Sequence, residues 1–273
     1  MMLEPLVIFE LAVLGLFTGF MAGLLGMGGG MIMVPFITVA LTHRGVGDNL
    51  AVKMAIATSM ATILFTSISS VRAHHKRGNV RWDLVKGLSP GILLGGALAS
   101  MAVFAVLQGA WLALFFAAFV SFSATQMFID KKPAASRQVP GLIGLFAAGE
   151  IIGFLSGLVG AGGAFVSVPF MTWCNVAIHQ AVGTSAALGF PIALANVAGY
   201  ITTGSGLPGL PPYSLGYVWL PALGVIAMAS VLTAPLGARA AQRLPVKQLK
   251  RAFGSVLYLL AGYMLYTGLR SLI

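Results

Sequence analysis

The chain holds 273 residues, of which only 16 are Lys or Arg and 6 Asp or Glu, while 58% are hydrophobic. A charged share of 8% excludes an ordinary water-soluble enzyme, in which about a quarter of residues are charged, because too little polar surface exists to cover the molecule. The mean hydropathy of +0.95 also excludes a disordered chain, and the formal excess of ten positive charges is spread between apolar runs, not gathered into a nucleic-acid-binding patch. These numbers describe a polytopic membrane protein. The single cysteine, Cys174, forbids an intramolecular disulfide and any multi-cysteine metal site.

A membrane-spanning helix needs roughly 20 apolar residues. The N-terminus lacks the basic region of a signal peptide, so the first apolar stretch, 5–42, is expected to stay in the membrane. It is too long for one crossing and contains the cluster Gly26-Met27-Gly28-Gly29-Gly30, which predicts a break into two pieces. Single apolar stretches follow at 49–72, 84–107 and 110–129, and then a hydrophilic joint at 130–138. The stretch 139–173 is again too long and is interrupted by Gly160-Ala161-Gly162-Gly163. Stretches at 176–203, 215–241 and 247–270 complete the chain, with a Gly/Pro-rich loop at 204–214.

The two interrupted stretches are copies of one another. With Pro35 set against Pro169, Gly15, Gly19, Gly23, Gly26, Gly28 and Gly29 fall on Gly149, Gly153, Gly157, Gly160, Gly162 and Gly163. After a shorter loop, Asn49, Ala55, Thr58 and Ser59 fall on Asn175, Ala181, Thr184 and Ser185. The chain therefore reads as a duplication, 1–129 and 139–273, around the linker 130–138.

Thirteen of the 16 basic residues lie in three places: Arg72 to Lys86, Lys131 to Arg137, and Arg239 to Arg251. Cytoplasmic loops collect Lys and Arg. If each interrupted stretch enters and returns as a hairpin, all three basic loops are cytoplasmic and both termini lie outside. The halves are then inverted relative to one another, each a glycine-broken first segment plus three transmembrane helices. That is a recurring plan of secondary transporters.

A helix that begins after a glycine cluster presents free N–H groups and the positive end of its dipole, which favours anions. Gly28, Gly29, Gly30, Gly162, Gly163 and Ala164 are the residues expected to form such a site, between two half-helix N-termini. Thr58, Ser59, Thr184 and Ser185 are candidate hydroxyl donors to an oxyanion, with interhelical hydrogen bonding as the alternative reading. Lys53 and His179 occupy equivalent positions one turn earlier and could guide an anion, or sit at solvated helix ends. Glu150 is an intramembrane carboxylate without a counterpart in the first half, a candidate for proton coupling. The glycine stripes Gly15-Gly19-Gly23, Gly149-Gly153-Gly157 and Gly87-Gly91-Gly95 fit close helix packing.

The string GLLGMGGGMIMVPF that ends at Phe36 and its echo GLVGAGGAFVSVPF that ends at Phe170 resemble the sulfite exporter TauE/SafE family. The run from Arg72 through His74-His75-Lys76-Arg77-Gly78-Asn79 and the sequence Leu236-Gly237-Ala238-Arg239 are similar to it as well. The resemblance covers nearly the whole chain. It implies a permease for small, often sulfur-containing anions such as sulfite, thiosulfate or organosulfonates, commonly in a bacterial inner membrane. Lys53, where relatives often carry histidine, and Ala164, in place of a final glycine, depart from the pattern. The expected partners are a small anion and the lipid bilayer, without nucleic acid, metal or cofactor, and a homo-oligomer is left open. Two other readings compete. A cation or metabolite permease of similar architecture lacks paired intramembrane carboxylates. An intramembrane hydrolase built on Ser156 and His179 lacks a nucleophile motif.

Overall fold

The computed structural model describes residues 5–26, 29–129, 137–241 and 246–272, and these are almost entirely helical. The first half contains α1 (Pro5–Leu25), α2 (Gly30–Thr42), α3 (Asp48–His75), α4 (Trp82–Ala97), a π-helical stretch (Leu98–Val103) running into a last turn α5 (Phe104–Val106), and α6 (Gly109–Ile129). The second contains α7 (Leu142–Val159), α8 (Ala164–Trp173), α9 (Ile178–Gly204), α10 (Leu220–Ala240) and α11 (Val246–Arg270). A two-residue hairpin, β1 (Ser214–Leu215) and β2 (Val218–Trp219), closes the Gly/Pro-rich loop before α10. Most of the linker, 130–136, lies outside the described residues.

Among the described residues seven segments are long and apolar enough to cross a bilayer: α1, α3, the continuous run α4–α5, α6, α7, α9 and α10. The helices α2 and α8, at 13 and 10 residues, are too short to cross alone, at 1.5 Å per residue. The breaks fall at the two glycine clusters, as the composition of those stretches predicts.

The glycine contacts fix helix directions. Gly15, Gly19 and Gly23 of α1 lie successively against Ile226, Ser230 and Ala234 of α10, so these two helices run parallel. In the same way Gly149 and Gly153 of α7 meet Leu88 and Ile92 of α4. At the centre, Gly183 of α9 sits beside Asn79 and Gly189 beside Ser67, so α3 and α9 run antiparallel. Gly254 and Gly268 of α11 meet Phe128 and Leu114 of α6, again antiparallel. Each long helix of one half thus packs against a helix of the other.

The approach is close enough to require glycine. A Cβ on Gly23 would fall 1.9 Å from the Ala234 carbonyl oxygen, and one on Gly91 1.9 Å from that of Phe146. Within lipid, association rests on such packing and on satisfied polar groups, since burial of apolar surface drives little. Proline enters α2, α4, α8, α9 and α10 at Pro35, Pro90, Pro169, Pro191 and Pro235. A helix-interior proline frees the carbonyl four residues earlier. For Pro235 that is Val231, whose oxygen accepts from Ser69 Oγ on α3 at 2.8 Å. The exposed positions are largely apolar, for example Phe9, Ile143, Leu232 and Leu259, as a lipid-facing surface requires.

Candidate functional site

The described glycines of the two clusters take matching conformations. Gly26 and Gly160 end α1 and α7 in the left-handed conformation, with φ of +70° and +71°, and donate back to Ala22 and Ser156 at 2.9 Å. Gly29 and Gly163 open α2 and α8, also left-handed, at +71° and +76°. L side chains rarely adopt that conformation, so these positions require glycine on backbone grounds. Gly28 lies outside the described residues. Gly30 begins α2 pressed against the other half: a Cβ there would stand 2.1 Å from the Gly160 carbonyl oxygen. Gly162 lies in the second turn, and Ala164, the first residue of α8, is buried with it.

The Thr-Ser pairs hold these turns in place. Ser59 Oγ of α3 donates to the Gly160 carbonyl at 3.0 Å and approaches the Gly30 carbonyl at 3.4 Å. Its counterpart Ser185 of α9 reaches the Gly26 carbonyl at 3.4 Å while accepting from Ser167 Oγ at 2.8 Å. Each serine therefore crosses to the other half's glycine turn. The threonines do the same for helix starts: Thr58 Oγ1 accepts the Trp219 N–H ahead of α10 at 2.9 Å, and Thr184 Oγ1 accepts the Arg81 N–H ahead of α4 at 3.0 Å. All four side chains are fully buried. In this conformation the serine protons are directed at carbonyls, which is the interhelical reading of those residues.

Both turns border one small cavity. Its walls include Gly26 from the first turn, Gly162 from the second, and Thr66, Ser67 and Ser70 of α3. At about 10 Å³ it has room for about one water. Thr66 and Ser67 donate to the Thr62 and Leu64 carbonyls, and Thr66 also pairs with Ser230 Oγ at 2.7 Å. Ser70 Oγ is buried without a hydrogen-bond partner among the described residues. A buried hydroxyl left unpaired is costly and is the group a small polar guest would satisfy.

The sequence profile described as "Sulfite exporter TauE/SafE" matches residues 11–264, which takes in both glycine turns and every helix that packs on them. The chain belongs to the TauE/SafE family. It is 37% identical over 248 residues to a probable membrane transporter protein of Haemophilus influenzae, covering 90% of this chain and 94% of that one. It is 28% identical to a probable membrane transporter protein of Methanocaldococcus jannaschii, covering 97% and 96%, and 28% identical to one of Bacillus subtilis, covering 96% and 98%. No solved structure matches it significantly. This TauE/SafE chain is a multi-pass membrane protein and a membrane transporter, not an enzyme.

The remaining residues singled out in the sequence are not gathered at the cavity. Lys53 is half-buried near the start of α3; its Nζ donates to the Ala105 carbonyl at 3.2 Å and stands 5.6 and 5.5 Å from the Phe104 and Tyr217 rings. His179 is exposed near the start of α9. Because α3 and α9 are antiparallel, the two lie toward opposite faces of the transporter. Glu150 is half-buried on α7, its backbone against Gly91 and Gly95 of α4, and does not border the cavity.

Two buried groups escaped the candidate set. His74 Nε2 is 2.9 Å from the Gly23 carbonyl, and the Tyr200 hydroxyl donates to the Gly157 carbonyl. Gly23 and Gly157 are equivalent in the repeat, and so are His74 and Tyr200. The pairing was hidden because the two side chains differ in type; only the alignment of the flanking Thr-Ser pairs exposes it.

Proposed function

We propose that this transporter moves a small sulfur-containing oxyanion, such as sulfite, thiosulfate or an organosulfonate, and that it acts as an exporter by alternating access between two inverted halves. The observation that carries the reading is the small cavity bordered by glycines of both turns. The clusters that supply those glycines lead into α2 and α8, and free N–H groups at helix starts favour an anion. Gly28, Gly29, Gly30, Gly162, Gly163 and Ala164 supply that backbone, and Ser70 adds a free hydroxyl. Thr58, Ser59, Thr184 and Ser185 keep the turns in register. Lys53 and His179 stand as guides toward the two opposite mouths. The cavity is too small for an oxyanion, so this conformation corresponds to a closed state that opens as the halves move.

The opposed directions of α3 and α9, and of α6 and α11, support the inverted arrangement. In this arrangement Arg72, Lys76, Arg77, Arg137 and Arg239 share one face, and the start of α1 and the end of α11 share the other. The positive-inside rule makes the basic face cytoplasmic and both termini external, in a bacterial inner membrane. Glu150 is the intramembrane carboxylate through which protons would couple.

The test is a thermal-stability screen of the purified protein against sulfite, thiosulfate, sulfoacetate, sulfate and carboxylates, followed by flux in proteoliposomes. A ligand that binds the folded form raises the melting temperature. Sulfur oxyanions are expected to stabilise the protein, and Ser70→Ala to weaken that effect without loss of folding. Gly29→Leu and Gly163→Leu are expected to abolish flux. Stabilisation by carboxylates alone would overturn the substrate class, and unchanged flux in both glycine variants would overturn the site.

A further inference from the structure

Between α3 and α10, at the end of the molecule that carries the basic loops, lies a groove of about 610 Å³. Its deeper wall is apolar: Phe65 and Ile68 from α3, Val231 and Pro235 from α10. Phe65 is 48% exposed although α3 is otherwise the most enclosed of the long helices. The rim is cationic, with Arg72, Lys76 and Arg77 at the end of α3 and Arg239 at the end of α10. Among the described residues no carboxylate lines it, and the sole ion pair is Arg81–Asp83.

From this arrangement we propose that the α3–α10 groove binds one anionic phospholipid, its phosphate among Arg72, Lys76, Arg77 and Arg239 and an acyl chain along Phe65, Ile68, Val231 and Pro235. An apolar slot that opens toward lipid under a cationic rim has the amphiphilic pattern of such a molecule, and basic pockets between transmembrane helices bind anionic head groups. The groove is separate from the central cavity. Positions 65, 68, 69, 72 and 76 lie on the face of α3 opposite Ile63, Thr66, Ser67 and Ser70, at 100° per residue. A soluble oxyanion has no use for the apolar slot.

The groove also lacks a twin. Matching Ser59 to Ser185 brings Arg72, Lys76 and Arg77 onto Ala198, Thr202 and Thr203, and matching Trp219 to Arg81 brings Arg239 onto Met101. The corresponding positions in the other half are uncharged. A device needed for both halves of a symmetric transport cycle would be duplicated; a device matched to one leaflet would not. Assigning that leaflet as cytoplasmic rests on the orientation proposed above, whereas the chemistry of the groove does not.

The full chain in neutral detergent is titrated with dioleoyl phosphatidylglycerol, dioleoyl phosphatidylcholine or glycerol 3-phosphate, with melting temperature as the readout. Phosphatidylglycerol is expected to raise it more than phosphatidylcholine, and glycerol 3-phosphate to leave it unchanged. Arg72→Gln/Arg239→Gln is expected to weaken phosphatidylglycerol binding about thirtyfold, at roughly 1 kcal/mol for each of the two cations near an anionic head group. Arg137→Gln/Arg251→Gln removes the same charge away from the groove and is expected to keep the full response. Equal responses in the two double variants, or equal stabilisation by both lipids, would overturn the site. A glycerol 3-phosphate or sulfite response lost only in the groove variant would identify a vestibule for soluble anions instead. If Arg72→Gln/Arg239→Gln fails to fold, Phe65→Trp in the slot decides the matter: quenching by brominated phosphatidylglycerol and not by brominated phosphatidylcholine is required.

Discussion

Removing the Ser59 hydroxyl tests how the glycine turns are held. In Ser59→Ala the Gly160 carbonyl, which closes α7 in a left-handed turn, loses its 3.0 Å donor. The group is buried, and the cavity that borders the turns among the described residues has room for about one water. Leaving a buried acceptor unpaired costs about 1–3 kcal/mol in general, and hydroxyl bonds between membrane helices fall nearer 0.6–1.7 kcal/mol. We expect about 1.5 kcal/mol for Ser59→Ala. The equivalent Ser185→Ala removes a longer contact, 3.4 Å to the Gly26 carbonyl, and leaves Ser167 free to turn its hydroxyl elsewhere. Its cost should be about a third as large. Reversible unfolding in mixed micelles, monitored by the tryptophans, measures both. Equal losses would refute the reasoning from geometry. A Ser59→Ala protein with undiminished stability but no anion-dependent stabilisation would show that the hydroxyl serves the substrate directly.

Three further substitutions follow from the packing. Gly23→Ala places a methyl 1.9 Å from the Ala234 carbonyl oxygen, and overpacking of this kind costs about 1–3 kcal/mol, whereas Gly224→Ala, with nothing within 4 Å, should be neutral or stabilise α10 by up to about 1 kcal/mol; the two melting temperatures should move in opposite directions. Thr58→Val deprives the buried Trp219 N–H of its acceptor and should cost about 1–2 kcal/mol, with a matching loss for Thr184→Val at Arg81, both read by chemical unfolding. Lys53→Met removes the one bond from Nζ to the Ala105 carbonyl at a half-buried site, so folding should persist while proteoliposome flux at low anion concentration falls; flux unchanged across the concentration range would separate Lys53 from the anion path.

The membrane class, the breaks at both glycine clusters and the close-packing role of Gly15, Gly19 and Gly23 were legible in the sequence, because each depends on a local property: apolar length, backbone freedom, or the lack of a side chain. The partners of those glycines were not legible. Nothing in Gly23 says that it faces Ala234 rather than a helix of its own half, since that choice is made by packing across about two hundred residues of chain. The Thr-Ser pairs illustrate the same limit. Their polarity inside an apolar helix marks them as engaged, but the same hydroxyls suit an oxyanion or a carbonyl equally well. Only the placement of Gly160, Gly26, Trp219 and Arg81 opposite them distinguishes the two in this conformation. His74 shows the reverse case. In sequence it belongs to a basic run that reads as a loop, yet it is buried against Gly23 at the end of α3.

The duplicated hydrogen bonds separate framework from sidedness. Where the two halves use the same residue type at Ser59 and Ser185 and at Thr58 and Thr184, the bond crosses between halves and fixes how they meet. Other equivalent positions carry different residue types. His74 answers Tyr200 on equivalent carbonyls, Lys53 answers His179 at equivalent helix starts, and the cationic rim of the α3–α10 groove answers uncharged positions. A fold built from two identical halves would close equally on both faces and gain no direction from its own chemistry. An imidazole on one carbonyl and a phenol on its counterpart make the two closures chemically different. Direction must therefore be sought in these unmatched pairs, and substitution of His74 by tyrosine, which makes the closures alike, is the change that separates their contribution from that of the framework.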